Sequence, residues 1–478
     1  MNDQTPESQT REEERSEERV LDPSNLEAEH HALERRFADL LAGADDERIR
    51  ELALDLSPGD LSEVLRPLNV EATVRVLRML PPDPLAEVLA EIDNRSLSAL
   101  FTLLDIDDIA DIIEEMPSDE AADVIGELDA AQAREILAAM EDEERQEVTE
   151  LLQYGPETAG GLMGKEVTTC TENQTCGDAV AGLRAADEDD LEETHFVFVV
   201  DQRGRLTGRL SLVRLLLSEP AVPVHAVMEG DPLYVEADLD QEEVASFFRL
   251  HDLIALPVVD HQMKLLGRIT ADDVMDVMED EATEDISLLA GVSVEEFGEP
   301  SSFRVARSRL PWLLGALVGQ LGAVMVLQHF QNSLSAMVTL VFYVPMVMAT
   351  AGNIGIQTSS VVVRGLATGE VDYFHVGRHL LREFGTALIT GLAVALGIAT
   401  VSFLLSANLE LSLVLALTLI VVNLFAAMIG TGIPLLLHRV GIDPAVATGP
   451  FITTANDMTS MMIYLGMATL LLGLGHQG

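Results

Sequence analysis

The stretch Ala255-Leu256-Pro257-Val258-Val259-Asp260 leads through a turn to Leu265-Leu266-Gly267-Arg268-Ile269-Thr270 and an acidic helix-like run from Asp272. About 60 residues earlier the same order occurs. Phe196-Val197-Phe198-Val199-Val200-Asp201 leads through Arg203-Gly204 to Leu206-Thr207-Gly208-Arg209-Leu210 and a helical pattern over 212–217. Each copy starts with a short continuous apolar run, the signature of a buried strand, bounded by turn residues. Each is preceded by a helical stretch, at 179–186 and 242–250. A strand–turn–strand–helix unit has therefore been used twice, with Val-Val-Asp and Leu-x-Gly-Arg at matched places. An unrelated pair of small α/β units would not be expected to share both elements.

This repeat resembles a tandem pair of CBS domains, which implies two α/β units packed into one pseudo-symmetric disc. On the N-terminal side, residues 45–154 read as helices with short Pro- or Asp-marked breaks. Leu61-Val64-Leu65-Leu68, Val74-Leu77-Leu80, Leu85-Val88-Leu89-Ile92 and Ile109-Ile112-Ile113 each trace one apolar stripe at i, i+3, i+4, i+7 spacing. Such short helices bury a stripe only against neighbours, which predicts an α-solenoid. Ser118, before Asp119-Glu120, reads as an N-cap with acidic first-turn residues. Residues 1–44 begin as an acidic polar tail, expected to be partly disordered.

Charge divides the chain near Ser301. Before it stand 74 acidic and 22 basic side chains, a net of −52; from it onward stand 6 and 7, a net of +1. The first part reads as a soluble, acidic assembly and the second as a membrane domain. A surface this acidic repels phosphate, so nucleic acid is excluded as a partner. Only Lys165 and Lys264 are lysines, and abundant carboxylates with few lysines also fit a salt-adapted surface. Individual acidic residues therefore need local arguments. Cys170 and Cys176 have no zinc-type spacing with histidine and read as free thiols of a reducing compartment. The polar N-terminus has no apolar signal-peptide core, so the first membrane helix is expected to direct insertion.

Between Asp272 and Phe303 there are eleven acidic residues and no basic one. Asp273, Asp276, Asp280 and Glu284 lie three or four apart and share a helix face, where like charges oppose the helix. A divalent cation would reverse that repulsion. Five apolar segments follow, at about 310–327, 336–363, 387–407, 411–437 and 445–474, each able to span a hydrocarbon core of about 30 Å. Arg304, Arg307 and Arg309 precede the first; Arg364, Arg378 and Arg382 lie between the second and third; Arg439 lies between the fourth and fifth. The arginine placement predicts a cytoplasmic N-terminal half and an external C-terminus.

Polar and helix-breaking residues cluster inside these spans. The second carries Pro345 and Gly352-Asn353-Ile354-Gly355-Ile356-Gln357, and the fourth carries Asn423 and Gly430-Thr431-Gly432-Ile433-Pro434. The fifth opens with Asp443-Pro444, read as an N-cap and first helical residue. It carries Thr453-Thr454-Ala455-Asn456-Asp457, about 18 Å along from Ala445. Asp457 carries the only charge of that segment. A carboxylate in a membrane core costs about 2.5–3.5 kcal/mol on insertion scales and marks an ion path by default. Taken singly, Asn353 or Thr454 is more commonly helix–helix glue; around a lone carboxylate they make a pore. All the ligands offered are oxygens, which favours Mg²⁺, an ion that keeps most of its waters. The chemistry leaves Mn²⁺, Co²⁺ or a proton-coupled carrier as alternatives. No nucleophile–base pair or phosphate-binding loop points to an enzyme.

The chain resembles the MgtE-type magnesium transporter/channel family. The domain order matches, as do Ala159-Gly160-Gly161-Leu162-Met163, Val274-Met275-Asp276-Val277-Met278-Glu279, Phe342-Tyr343-Val344-Pro345 and the segment from Asp443 to Asp457. The resemblance implies an N-terminal tail at 1–44, a helical N domain at 45–158, CBS domains at 159–224 and 225–280, an acidic connecting helix at 281–303 and a five-helix membrane domain at 304–478. It implies a homodimer in the lipid bilayer of the cell membrane, with a divalent-cation pathway on the two-fold axis. Asp457 matches the ion-binding aspartate, and Asn456, Thr454, Thr453, Asn353 and Gln357 would surround it. Cytoplasmic Mg²⁺ would close the gate by binding Asp252, Asp273, Asp276, Glu281, Glu284 and Asp285, together with Asp119 and Asp123. An adenine nucleotide is a further candidate ligand of the CBS pair, neither shown nor excluded by the sequence. The chain departs from the family at Ile356, Gly449 and Asn456, which leaves fewer side-chain oxygens near Asp457.

Overall fold

The computed structural model describes residues 33–473 except 34, 42, 44, 91, 93, 187–193, 294, 295, 297–300, 368–375 and 448. The tail expected over 1–44 lies outside the described residues up to position 32. The chain forms two compact units, one of residues up to Val244 with His251–Asp273, the other of Ala245–Leu250 with Val274 onward.

In the first unit, helices α1 (Asp46–Leu54), α2 (Pro58–Leu65), α3 (Val70–Leu77), α4 (Pro82–Ala90), α5 (Asn94–Phe101), α6 (Ile106–Glu114), α7 (Ser118–Gly126), α8 (Gln132–Ala139) and α9 (Asp142–Leu151) follow one another. Side-chain caps begin several of them. Asp45 accepts from Arg48 N–H, Ser57 from Asp60 N–H and Asn69 from Ala72 N–H. Helices two places apart pack together, as in α1 with α3, α2 with α4, α3 with α5 and α4 with α6. The expected stripe residues Leu61, Val64, Leu65, Leu77, Ile109 and Ile113 are buried there.

Two sheets follow. The first has strands β1 (Thr169–Thr171), β2 (Phe196–Val200), β3 (Leu206–Ser211) and β4 (Glu229–Gly230), in that spatial order, and helices α10 (Cys176–Leu183) and α11 (Leu212–Leu217). The second has β5 (Val235–Glu236), β6 (Ala255–Val259) and β7 (Leu265–Thr270), with α12 (Gln241–His251) between β5 and β6. The repeat read from the sequence is a repeat in register. β1–β2 and β5–β6 are parallel, β2–β3 and β6–β7 antiparallel, and the irregularity falls at Val199/Val200 and at Val258/Val259. The two hairpins join at their tips through Leu206 N–H to Met263 O at 2.8 Å and Leu265 N–H to Gly204 O at 3.0 Å. Gly204 (φ 76°) and Met263 (φ 65°) take matching left-handed turn positions. Cys170 and Cys176 are free and buried in the core of the first sheet.

Helix α13 (Ala271–Ala290) carries the acidic face. It starts inside the segment expected to be the second CBS domain, because Thr270 ends β7 and passes straight into the helix. In the second unit, α14 (Ser302–His329), α15 (Gln331–Ala336), α16 (Val344–Ala367), α17 (Val376–Ser406), α18 (Leu409–Val440) and α19 (Pro450–Leu471) follow. α16, α18 and α19 pack on one another, α17 lies on α18, and α14 lies on α19. The core between them holds Leu340, Val347, Ala351, Leu415, Leu419, Leu465 and Tyr464, whose hydroxyl donates to Leu340 O at 2.9 Å. Leu313, Leu314, Leu404 and Leu405 face outward, the reverse of a water-soluble helix bundle.

Among the described residues four segments are long and apolar enough to cross a membrane, namely Ser302–His329, Val338–Leu366, Leu380–Ser406 and Leu409–Val440. Helix α19 is 22 residues long but not among them, because Thr453, Thr454, Asn456, Asp457, Thr459 and Ser460 dilute its hydropathy. The five spans expected from the sequence therefore stand, among the described residues, as four apolar helices plus one helix with a polar first half.

Candidate functional site

Asp443-Pro444 does not open α19. The Asp443 carboxylate accepts from Ala445 N–H at 2.8 Å and starts a single turn, Ala445–Ala447. The helix begins at Pro450, in the first-turn position where the missing N–H costs no hydrogen bond. Asp457 therefore lies seven residues in, about 10 Å along the helix rather than 18 Å.

A cavity of about 410 Å³ borders Asp457. Pro345, Gly352, Asn353 and Ile356 of α16 line it opposite Thr453 and Asp457 of α19. At about 30 Å³ per water, six waters need about 180 Å³, less than the volume of this cavity. Of the expected pore residues, Asp457, Thr453 and Asn353 share this cavity. Gln357 is exposed one turn beyond Asn353. Thr454 fills the space beside Gly319 of α14, and Asn456 is buried against Gly355 of α16. Helical periodicity explains the split: positions 453 and 457 share a face, whereas 454 and 456 turn away from it.

In the first unit a second group of carboxylates gathers around the start of α7. Ser118 is the first helical residue and not its side-chain cap, which corrects the sequence reading. Its N–H donates to Glu166 Oε1 at 2.9 Å and its hydroxyl to Glu166 Oε2 at 3.1 Å, while Lys165 N–H donates to Ser118 Oγ at 2.8 Å. The Glu166 carboxylate thus neutralises a helix N-terminus that the chain itself leaves uncapped. Asp119 is adjacent: a Cβ on Gly164 would meet Glu166 Oε2 at 2.7 Å and both Asp119 oxygens at 3.6 Å. From the start of α13, Asp273 accepts from Thr270 N–H at 2.9 Å and Thr270 hydroxyl at 2.6 Å.

These acids repel one another in a poorly solvated place. Burial, then the charges of Asp273, Glu166 and Glu120, hold Asp119 well above the ordinary carboxylate range. Asp123 keeps an exposed edge, yet the crowded protein around it strips away enough water, with help from Glu127 and Asp273, to push it up to about 6. Burial also raises Asp273, against its Thr270 hydrogen bonds, and raises Glu147, where Glu166 adds to it and Lys165 opposes it. The nearby cations Lys165 and Arg268 only partly offset this, and the carboxylates remain raised.

A third group lies in the second unit. Burial, then Asp443 and Glu281, push Asp285 up to about 6. Farther along the chain, Gly449 lies so close to the C-terminal turn of α13 that a Cβ on it would come within 2.9 Å of Leu289 O. Asp276 and Glu284 are exposed on α13, and Asp252 is exposed in the left-handed turn after α12 at φ 49°. Sequence reading missed Glu166 and Glu147 and took Asp443 only as a cap. It also missed an exposed grouping of Glu236, Asp238 and His261, whose donor atoms lie within 4.8 Å of one another.

Three family descriptions match the chain: a divalent cation transporter over residues 344–467, an MgtE intracellular N domain over 34–157 and a CBS domain over 224–280. The magnesium transporter MgtE of Thermus thermophilus is 38% identical over 336 residues, 69% of this chain and 73% of that protein. The magnesium transporter MgtE of Bacillus subtilis is 35% identical over 67% of this chain and 70% of its own length. The cytosolic domain of the Mg²⁺ channel MgtE in complex with ATP aligns at 33% identity and a TM-score of 0.48, over 50% of this chain and 98% of that one. With relatives at this identity over more than two thirds of their length, the chain belongs to the MgtE family of divalent cation transporters.

Proposed function

We propose that this protein carries Mg²⁺ across the cell membrane through a homodimeric, gated pathway lined by α16 and α19. The observation that carries the reading is Asp457 on the wall of a cavity with room for a hydrated ion. Mg²⁺ sheds water reluctantly and is held by one or two carboxylates with its waters kept; two chains would supply two. The relatives named as magnesium transporters support the choice of ion. In this reading all five long helices of the second unit span the bilayer, the N-terminal half is cytoplasmic and the C-terminus external. The i, i+2 packing of α1–α9 supports the superhelical reading of the N domain.

Mg²⁺ uptake into proteoliposomes tests the pathway. Asp457→Ala is expected to abolish uptake, and uptake at the wild-type rate would remove Asp457 from it. A second reading, passage of Co²⁺ or Mn²⁺ as well, is favoured by one feature: Ile356 occupies the cavity wall where a side-chain oxygen would add selectivity. Competition by Co²⁺ and Mn²⁺ in the same assay distinguishes the two.

Regulation belongs to the same proposal. The carboxylates at Asp119, Asp123, Glu166 and Asp273 repel one another until a divalent cation joins them, and so do Asp285, Glu281 and Asp443. A cation that binds one arrangement better shifts the protein towards it, and an affinity ratio of about 10⁴ would carry a gate from mostly open to mostly closed. Joint neutralisation of Asp273, Asp276, Glu281 and Glu284 is expected to leave transport insensitive to cytoplasmic Mg²⁺. Normal inhibition in that variant would return these acids to the salt-adapted surface. An adenine nucleotide at the CBS pair is part of the reading; titration calorimetry of the full-length protein with ATP checks it, and absence of heat would remove it.

A further inference from the structure

Asn456 is 1% exposed, and neither its Nδ2 nor its Oδ1 has a hydrogen-bond partner among the described residues. An apolar residue of similar volume would fill the same space without two unpaired polar groups, so packing alone does not account for an amide there. Its seat is specific. The amide nitrogen occupies the room that a Cβ on Gly355 would need. On the same glycine presses Gly430 of α18, where a Cβ would meet Gly355 O at 2.6 Å and Thr358 Cβ at 3.2 Å. Three helices therefore converge on Gly355: α18 meets it backbone to backbone at Gly430, and α19 meets it through Asn456, with the Ile452 side chain beside it. Ser359, one turn beyond Gly355, is also fully buried with its hydroxyl unpartnered.

This node stands directly behind the cavity wall. Gly352 and Ile356, on either side of Gly355 in α16, line the cavity, and Asp457 follows Asn456 in α19. We propose that Asn456 is a positioning residue for ion binding: seated on Gly355, it sets the rotation and spacing of α19 against α16 that present the Asp457 carboxylate to the cavity. Asn456 does not touch the ion; it acts through Asp457. The proposal rests on the reading of Asp457 as the ion-binding carboxylate.

The test is the concentration dependence of Mg²⁺ uptake by the reconstituted full-length protein, with the Mg²⁺ to Co²⁺ preference measured in parallel. Asn456→Leu keeps the branching, at larger volume, and removes the amide, Asn456→Ala removes both, and Gly355→Ala displaces the amide from its seat. Each is expected to raise the Mg²⁺ concentration for half-maximal uptake about tenfold, equivalent to about 1.4 kcal/mol of binding. Each is also expected to lower the Mg²⁺ to Co²⁺ preference, with a smaller effect on the maximal rate. The double variant Gly355→Ala/Asn456→Ala restores room at the contact and is expected to recover monodisperse protein but not the half-saturation value. Wild-type half-saturation and ion preference in Asn456→Ala, with Asp457→Ala inactive, would overturn the positioning role. Should the Asn456→Leu or Gly355→Ala variant fail to fold, Asn456→Ala alone decides. Full uptake by Asp457→Ala would instead sink the underlying reading, whatever the Asn456 variants do.

Discussion

Asp123 and Asp285 titrate near 6, above the ordinary aspartate value of about 3.9. The folded protein thus binds their protons more firmly than the unfolded chain does, and so its cation-free stability falls as pH rises from about 4 through 6. In the proposed reading Mg²⁺ binding has the opposite dependence, because protons compete for the same oxygens. Thermal unfolding in detergent without divalent cations should therefore occur at higher temperature at about pH 5.5 than at about pH 7.5, and added Mg²⁺ should raise it more at the higher pH. Asp123→Asn with Asp285→Asn is expected to flatten both dependences; an unchanged pH profile in that variant would place the titration elsewhere. Asp457 was legible in the sequence because a single charge stands out in an apolar segment. Glu166 was not, since its partner Ser118 is 48 residues away and only the folded chain brings helix terminus and carboxylate together.

At the scale of elements, the Glu166 bridge ties the start of α7 to the segment leading into β1. Glu166→Ala leaves two donors of a helix terminus unpaired and should cost about 1–3 kcal/mol of stability, read as a lower midpoint in urea. Gly164→Val should act differently. Its side chain would enter the gap between Glu166 and Asp119, so Mg²⁺ stabilisation should weaken more than cation-free stability, and equal losses would argue against cation binding there. Helix periodicity made α13 and the N-domain stripes readable, and strand pattern made the doubled hairpin readable. Helix starts were less so: Ser118 and Asp443 both have capping chemistry, but each spends its oxygens on another partner. The contiguous run 453–457 was read as one polar group, although a helix distributes such a run over three faces.

For the whole molecule, charge is the largest lever. The residues before Ser301 carry a net −52, and screening shortens the reach of that repulsion from about 30 Å at 0.01 M salt to about 3 Å at 1 M. Unfolding temperature should rise with NaCl as general screening and rise further with millimolar MgCl₂ at matched ionic strength. A bound ligand at 100 times its dissociation constant adds about 2.7 kcal/mol. Equal effects of the two salts at matched ionic strength would leave the acidity as surface adaptation alone. The two-part charge division was visible from composition. The grouping of acids into separate clusters was not, because spacing shows which carboxylates share one helix face but not which, far apart in the chain, meet after folding. Helix α19 has a consequence for how the protein is made. With Asn456 and Asp457 in its first half it partitions poorly into lipid by itself, so to cross a bilayer it must enter alongside α16, whose Gly355 and Asn353 adjoin those groups. Insertion of α19 would then be a folding step and not a partitioning step, and biogenesis would admit it only into a domain whose other walls already stand.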